Sequence, residues 1–93
     1  MRERDIEKYL VDKIRNAGGK AYKFVSHGNA GVPDRLVLLP GGKIIFVELK
    51  ALGREPTPLQ LVQHRRIRNL GFKVLVIDNK QAVDDLINEI SVT

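Results

Sequence analysis

The order of hydrophobic and polar residues along the chain predicts three helices and four strands. Near the N-terminus, Ile6, Leu10, Ile14 and Ala17 recur every three or four positions, which is typical of one buried helix face. Later in the chain, short runs of Val, Ile and Leu lie between Gly and Pro residues and indicate strands. The predicted elements are a helix over 2–17, strands over 20–25, 34–39 and 44–50, a helix over 58–69, a strand over 73–78 and a helix over 80–90.

Two of the predicted strands are apolar at consecutive positions, from Leu36 to Leu39 and from Ile44 to Val47. Such runs indicate burial on both faces of a strand, so we expect helices on both sides of the sheet. The predicted fold class is therefore α/β, with element order αβββαβα and a mixed sheet. The 93 residues are the size of one modest domain, so 1–93 is predicted to be a single domain.

The second predicted helix has a clear N-terminal signal. Thr57 is placed to cap the helix, and Gln60 occupies the capping-box position three residues later. Helical spacing predicts an inward apolar stripe and leaves Leu61 on the opposite side of the helix. The predicted stripe consists of Leu59, Val62, Ile67 and Leu70.

Composition narrows the function classes. Cysteine is absent, which excludes disulfides, thiolate metal sites and cysteine nucleophiles. The net charge of +5 favours a polyanionic partner, nucleic acid first. No apolar run approaches the roughly 20 residues of a membrane span, and the charged N-terminal segment does not resemble a signal peptide. The expected location is the cytoplasm of a bacterial or phage-infected cell, without membrane association.

Three polar residues interrupt the apolar strands. Glu48 and Lys50 share one face at the end of a strand, because residues i and i+2 point the same way. If residues 39 and 43 pair across the hairpin, Asp34 lies opposite Glu48 on that face. A two-residue Gly-Gly turn would instead pair 34 with 49 and separate the carboxylates. The hydrophobic pattern does not choose between these registers, whereas a shared site requires the first.

Two carboxylates and a lysine at one rim of a sheet suit metal-assisted phosphodiester hydrolysis. Carboxylates hold a hard divalent cation such as Mg²⁺ or Mn²⁺, which acidifies water and offsets charge on phosphate. A nearby lysine can orient or deprotonate the attacking water. A simple salt bridge between Glu48 and Lys50 at the rim is the structural alternative.

The motif Pro33-Asp34 followed by Glu48-Leu49-Lys50 resembles the PD-(D/E)xK nuclease signature. The flanking strings 22–26, 31–36 and 47–50, with Leu59-Gln60, resemble the VRR-NUC branch of that superfamily. The match covers nearly the whole chain. It implies a restriction-endonuclease-like core and a divalent-metal-dependent DNA endonuclease, often acting on branched or Holliday-junction DNA.

The resemblance also implies residue roles. Asp34, Glu48 and the Leu49 carbonyl correspond to metal ligands, and Lys50 corresponds to the catalytic lysine. By residue pattern alone Gln60 is either a helix cap or a functional residue, and the resemblance favours an active-site role. A glutamate of the first helix usually completes the site. Glu7 and Glu3 both qualify, and Glu7 is favoured because chain termini fray.

The remaining predictions concern partners. The candidate DNA contacts are the basic residues and the polar loop near the site: Lys23, Ser26, His27, Arg35 and Arg54. A histidine alone in a loop is more often plain surface, and His64 is a weaker candidate still. Stand-alone members of this size are expected to be homodimers. The alternatives to a nuclease are a non-catalytic DNA-binding module with the same fold and a structural α/β protein.

Overall fold

The computed structural model describes residues 1–91. Over these residues the chain forms three helices and four strands: α1 (Glu3–Asn16), β1 (Lys20–Lys23), β2 (Arg35–Leu39), β3 (Lys43–Leu49), α2 (Pro58–Asn69), β4 (Lys73–Ile77) and α3 (Lys80–Ser91). The predicted order αβββαβα is confirmed, with small differences at element ends. Within the same residues, no helix has the length and apolar character needed to cross a membrane.

The four strands form one mixed sheet in the order β1-β2-β3-β4. The first three strands are antiparallel neighbours, and β4 runs parallel to β3. Parallel neighbours require a crossover connection, and α2 supplies it. The C-terminal end of β3 therefore lies between β2, β4 and the start of α2, where side chains from three elements can meet.

The β2–β3 hairpin has the register that brings the two carboxylates together. Leu39 pairs with Lys43, and Arg35 pairs with Val47. The turn of residues 40–42 places Gly41 and Gly42 at φ values of 82° and 77°, a region that residues with a Cβ rarely adopt. One step beyond the last pair, Asp34 faces Glu48, so the first of the two alternative registers is confirmed.

The hydrophobic core lies on one face of the sheet. It is built from α1, α3 and the alternate residues of the strands that point toward them. Its central members, all nearly inaccessible to solvent, are Ile6, Leu10, Ile14, Val37, Val47, Leu49, Val83 and Leu86. The predicted inward face of the first helix is confirmed at Ile6, Leu10 and Ile14.

The opposite face carries α2, and here the predicted stripe is wrong at three of its four positions, since only Ile67 is partly buried. Leu59, Val62 and Leu70 are exposed, whereas Gln63 and His64 are buried. The helix turns its polar positions toward the sheet because the strand ends that it covers carry polar groups. Part of this sheet face stays open, and the partly exposed apolar residues there are Tyr22, Leu38, Ile44, Phe72 and Val76.

Because Leu10 is buried and Leu70 is exposed, replacing each leucine with alanine should have unequal effects on stability. Leu10 is 0% exposed and Leu70 is 77% exposed. We expect Leu10→Ala to lower the free energy of unfolding by about 2–5 kcal/mol, because it removes contacts and leaves a cavity. Leu70→Ala, the matched control, should change it by about 0.5 kcal/mol or less. Chemical denaturation of both variants measures this difference, and equal losses would contradict the described core.

Candidate active site

Glu48 is the central residue of the polar cluster. It is 1% exposed, at the end of β3 on the face covered by α2. Its Oε2 accepts a hydrogen bond from Gln60 Nε2 at 3.1 Å and lies 3.3 Å from Lys50 Nζ. A buried carboxylate needs such partners, because burial without them is costly. The Glu48–Lys50 salt bridge, which the sequence offered as the structural alternative, is present but belongs to a larger network.

Asp34 lies beside Glu48 at the start of β2. Its Oδ2 accepts a hydrogen bond from the backbone N–H of Leu49 at 2.9 Å, which ties the carboxylate to the end of β3. The structure therefore brings together Asp34, Glu48, Lys50 and Gln60, all four of the predicted catalytic residues.

Burial and the charge of Asp34 disfavour the ionisation of Glu48. Burial raises the pKa of Glu48 to about 7, and the negative charge of Asp34 adds to this increase. Lys50 opposes the shift through its hydrogen bond and its charge. The single ammonium thus does not fully offset the cost of ionising both carboxylates, and an additional positive charge would stabilise the ionised site.

The donor set fits a hard divalent cation. Glu48 Oε1 is buried and makes no hydrogen bond to any of residues 1–91. No three His, Asp or Glu side chains in that range are gathered as a complete metal cage. Mg²⁺ commonly uses one or two carboxylates and retains several waters, so Asp34 and Glu48 with the Leu49 carbonyl are a suitable set.

Gln60 forms the predicted helix cap and also contacts the polar cluster. Its backbone N–H donates to Thr57 Oγ1 at 3.2 Å, and its Oε1 accepts from the Thr57 N–H at 2.9 Å, which completes a capping box. The Nε2 of the same amide donates to Glu48. One side chain therefore both begins α2 and holds the buried carboxylate.

The loop before β2 presses against the start of α2. Gly31 has a φ of 92°, and a Cβ at this position would lie 3.0 Å from the carbonyl oxygen of Leu59. Glycine is thus required both by conformation and by the close approach of the two backbones. This packing fixes the chain just before Asp34 relative to Gln60, so both sides of the site are positioned by one contact.

His64, a weak candidate from the sequence, lies against the site. It is 0% exposed, and its Nε2 lies 3.7 Å from Glu48 Oε1. Burial lowers the pKa of His64, and the charges of Arg68 and Lys50 lower it further against the opposing charge of Asp34, which favours the neutral ring. A sequence signal was available, because positions 60, 63, 64 and 67 follow the helical spacing of one inward face.

The structure does not gather the predicted helix-1 glutamate with the other carboxylates. Glu7 Oε2 instead accepts from Arg35 Nε at 3.0 Å, in a pair that is mostly shielded from solvent. Arg35 also donates to the carbonyl of Ala21 at 3.1 Å, so its guanidinium ties β1 and β2 to α1. Glu3 is exposed at the first turn of α1. Metal ligation by Glu7 stays a prediction that requires this pair to open.

The other candidate DNA contacts lie at the end of β1 and in the loops. Lys23, His27 and Arg54 are exposed, and Ser26 is partly exposed. Ser26 Oγ accepts from Asn29 Nδ2 at 2.9 Å, which stabilises the tight loop before the site. Arg35 differs from this group because its side chain is used inside the protein. The exposed members are available to phosphates, whereas Arg35 has a structural role in this arrangement.

The raised pKa of Glu48 predicts a pH-dependent effect on stability. Below about pH 4.5 the group is protonated in both the folded and the unfolded state, so it carries no penalty. As the pH rises to about 7, the unfolded state loses this proton first and stability falls. In metal-free buffer, Glu48→Gln should therefore raise the Tm by at least about 4 °C at pH 8, and much less at pH 5.

Thermal unfolding at both pH values measures this effect. Glu55→Gln, which changes an exposed loop carboxylate, is the control and should shift the Tm little at either pH. An equal Tm increase for Glu48→Gln at pH 5 and pH 8 would contradict the unfavourable ionisation of Glu48.

Comparisons with known proteins agree with this geometry. A protein named "Putative nuclease p44" from Acyrthosiphon pisum secondary endosymbiont phage 1 is 60% identical over 80 residues, which are 86% of this chain and 86% of that protein. A solved structure described as a VRR_NUC domain superposes with a TM-score of 0.87 at 39% identity, covering 92% of this chain and 94% of the other. No family model matches the sequence. On the strength of the first two similarities, which span most of the chain, it belongs to the VRR-NUC family of nucleases.

Proposed function

We propose that this nuclease is a divalent-metal-dependent endonuclease that hydrolyses the phosphodiester backbone of DNA. The observation that carries the proposal is the gathering of Asp34, Glu48 and Lys50 at the ends of β2 and β3. A bound Mg²⁺ or Mn²⁺ supplies positive charge to the phosphate and lowers the pKa of water. The raised pKa of Glu48, caused by burial and then by the charge of Asp34, is what a positive charge at this place would counteract.

Each residue of the cluster has a separate task in this proposal. Asp34 and Glu48, with the Leu49 carbonyl, hold the cation. Lys50 has only 14% of its side chain exposed and is held 3.3 Å from Glu48 Oε2, so its ammonium is well placed to orient water and neutralise phosphate. Gln60 holds Glu48 from the other side and keeps the carboxylate in place.

Branched DNA is the proposed substrate, and the cytoplasm of a bacterial or phage-infected cell is the proposed location. The net charge of +5 supports binding to a phosphate backbone, and the exposed Lys23 and Arg54 add positive charge on the accessible surface. A four-way junction has two-fold symmetry, so its resolution requires two symmetrically placed cuts. A homodimer with two such sites meets that requirement.

The outer side of α2 supports a homodimer. The described chain exposes Leu59, Leu61 and Val62 there. A 93-residue domain buries only a limited fraction of its surface by itself, and a second copy would cover such apolar residues. Leu61, which was predicted to point outward, is 48% exposed.

Cleavage assays test the catalytic assignment. The assay would incubate labelled linear, flapped and four-way-junction DNA with the protein in Mg²⁺, Mn²⁺ or EDTA. Wild type should cut junction DNA with either metal and lose this activity in EDTA. Lys50→Ala should reduce cleavage at least about 100-fold, because the residue acts on the transition state, and should keep DNA affinity.

Lys8→Ala is the matched control, since Lys8 is exposed on α1 and pairs with Asp12. It should cut like wild type. Cleavage by Lys50→Ala within a few-fold of wild type would show that Lys50 is misassigned. DNA binding by wild type without cleavage in any metal would instead favour a non-catalytic DNA-binding module.

Light scattering tests the assembly. Wild type should be a dimer at micromolar concentration, and Leu61→Lys should shift it toward monomer by placing charge in the apolar contact. Leu52→Lys is the control, because Leu52 is 61% exposed in the loop before α2. It should leave the dimer intact. A wild-type monomer that cuts both strands of a junction in one binding event would contradict the proposed dimer.

A further inference from the structure

His64 places an unusual polar side chain on the buried face of α2. The side chain is 0% exposed, and among residues 1–91 neither ring nitrogen has a hydrogen-bond partner. The nearest polar atom with the same deficiency is Glu48 Oε1, which lies 3.7 Å from His64 Nε2. Two buried polar atoms without partners thus face each other across the interface between α2 and β3.

This arrangement is costly for a residue that only fills space. A buried donor or acceptor that makes no hydrogen bond lowers stability, and an aliphatic side chain could occupy the same position without that cost. Residues that reduce the stability of the fold in this way are concentrated at functional sites. The position of His64, one helical turn after Gln60, directs the ring at the same carboxylate that Gln60 contacts.

The chemistry of the two groups is complementary. A carboxylate oxygen only accepts hydrogen bonds, and a neutral imidazole donates from one nitrogen. Closing the 3.7 Å separation to an ordinary hydrogen bond of about 2.9 Å needs only a small movement of one side chain. Gln60 and Lys50 would then hold Glu48 at Oε2, and His64 would hold it at Oε1. Each carboxylate oxygen has two lone pairs, so Oε1 can accept from His64 and still bind a cation.

We propose that His64 is a positioning residue whose Nε2–H donates to Glu48 Oε1 and fixes the carboxylate for metal binding. The inference rests on the proposed metal-dependent function. Hydrogen bonds to a ligating carboxylate orient it, and their loss typically weakens metal affinity by about 10- to 100-fold. His64 itself neither ligates the metal nor contacts the substrate in this proposal.

Calorimetric titration with Mn²⁺ tests the proposal on three variants of the full chain. His64→Leu should weaken Mn²⁺ binding about tenfold or more, because no donor remains at this position. His64→Gln should stay within about threefold of wild type, since the glutamine amide nitrogen reaches a similar position to Nε2 and restores the donor. Gln63→Leu, a change at the neighbouring buried polar residue, should bind like wild type.

Two further measurements separate positioning from a general effect on folding. In the metal-free protein the 3.7 Å separation is open and the His64 ring has no hydrogen-bond partner among residues 1–91, so the metal-free Tm of His64→Leu should equal or exceed that of wild type. Ring ¹⁵N shifts of His64 in wild type should show the tautomer protonated at Nε2. In cleavage assays, His64→Leu should need about tenfold more Mg²⁺ for half-maximal rate and recover most of the rate at saturation.

The possible failures are distinguishable. Equal Mn²⁺ affinity of His64→Leu and wild type would overturn the role of His64 and leave the proposed nuclease function intact. A tautomer protonated at Nδ1 would also overturn it, even if His64→Leu failed to fold. Absence of Mn²⁺ binding by wild type would overturn the metal-dependent function and this inference together.

Discussion

The burial of the Glu48 carboxylate is the constraint on which the rest of the site depends. A charge at a position that is 1% exposed, at the end of a strand otherwise made of apolar residues, must be compensated locally. Lys50 and Gln60 supply contacts to one oxygen, while Asp34 adds a second negative charge nearby. The resulting pKa of about 7 means that the metal-free site is compensated only in part.

The same constraint explains the construction of α2. A helix over an apolar sheet normally turns a hydrophobic stripe inward, yet α2 turns Gln60, Gln63 and His64 toward the sheet. Gln60 links the capping box at the helix start to the carboxylate, so the secondary structure and the site are stabilised by one side chain. The inward side of the helix is therefore occupied by polar residues in place of apolar ones, and its leucines are exposed.

Most of the fold and the central site could be predicted from the sequence, because strong periodic patterns and the Asp34, Glu48 and Lys50 motif reflect local constraints. The sequence left two registers open for the β2–β3 hairpin, and the three-residue turn over 40–42 determines which one forms. The face of α2 was predicted wrongly because hydrophobicity was assumed to choose the inward side. The Glu7–Arg35 pair could not be predicted, since it joins residues that are distant in sequence through tertiary packing.

The most direct test of the account is the anomalous diffraction of crystals grown with Mn²⁺. We expect a strong manganese peak coordinated by Asp34, Glu48 and the Leu49 carbonyl, with oxygen ligands only and Lys50 close to the metal. Loss of that peak in Asp34→Ala crystals would support the assignment further. A manganese peak at another site, or none in fully metal-saturated crystals, would contradict the claim that this buried carboxylate cluster is the metal centre of the nuclease.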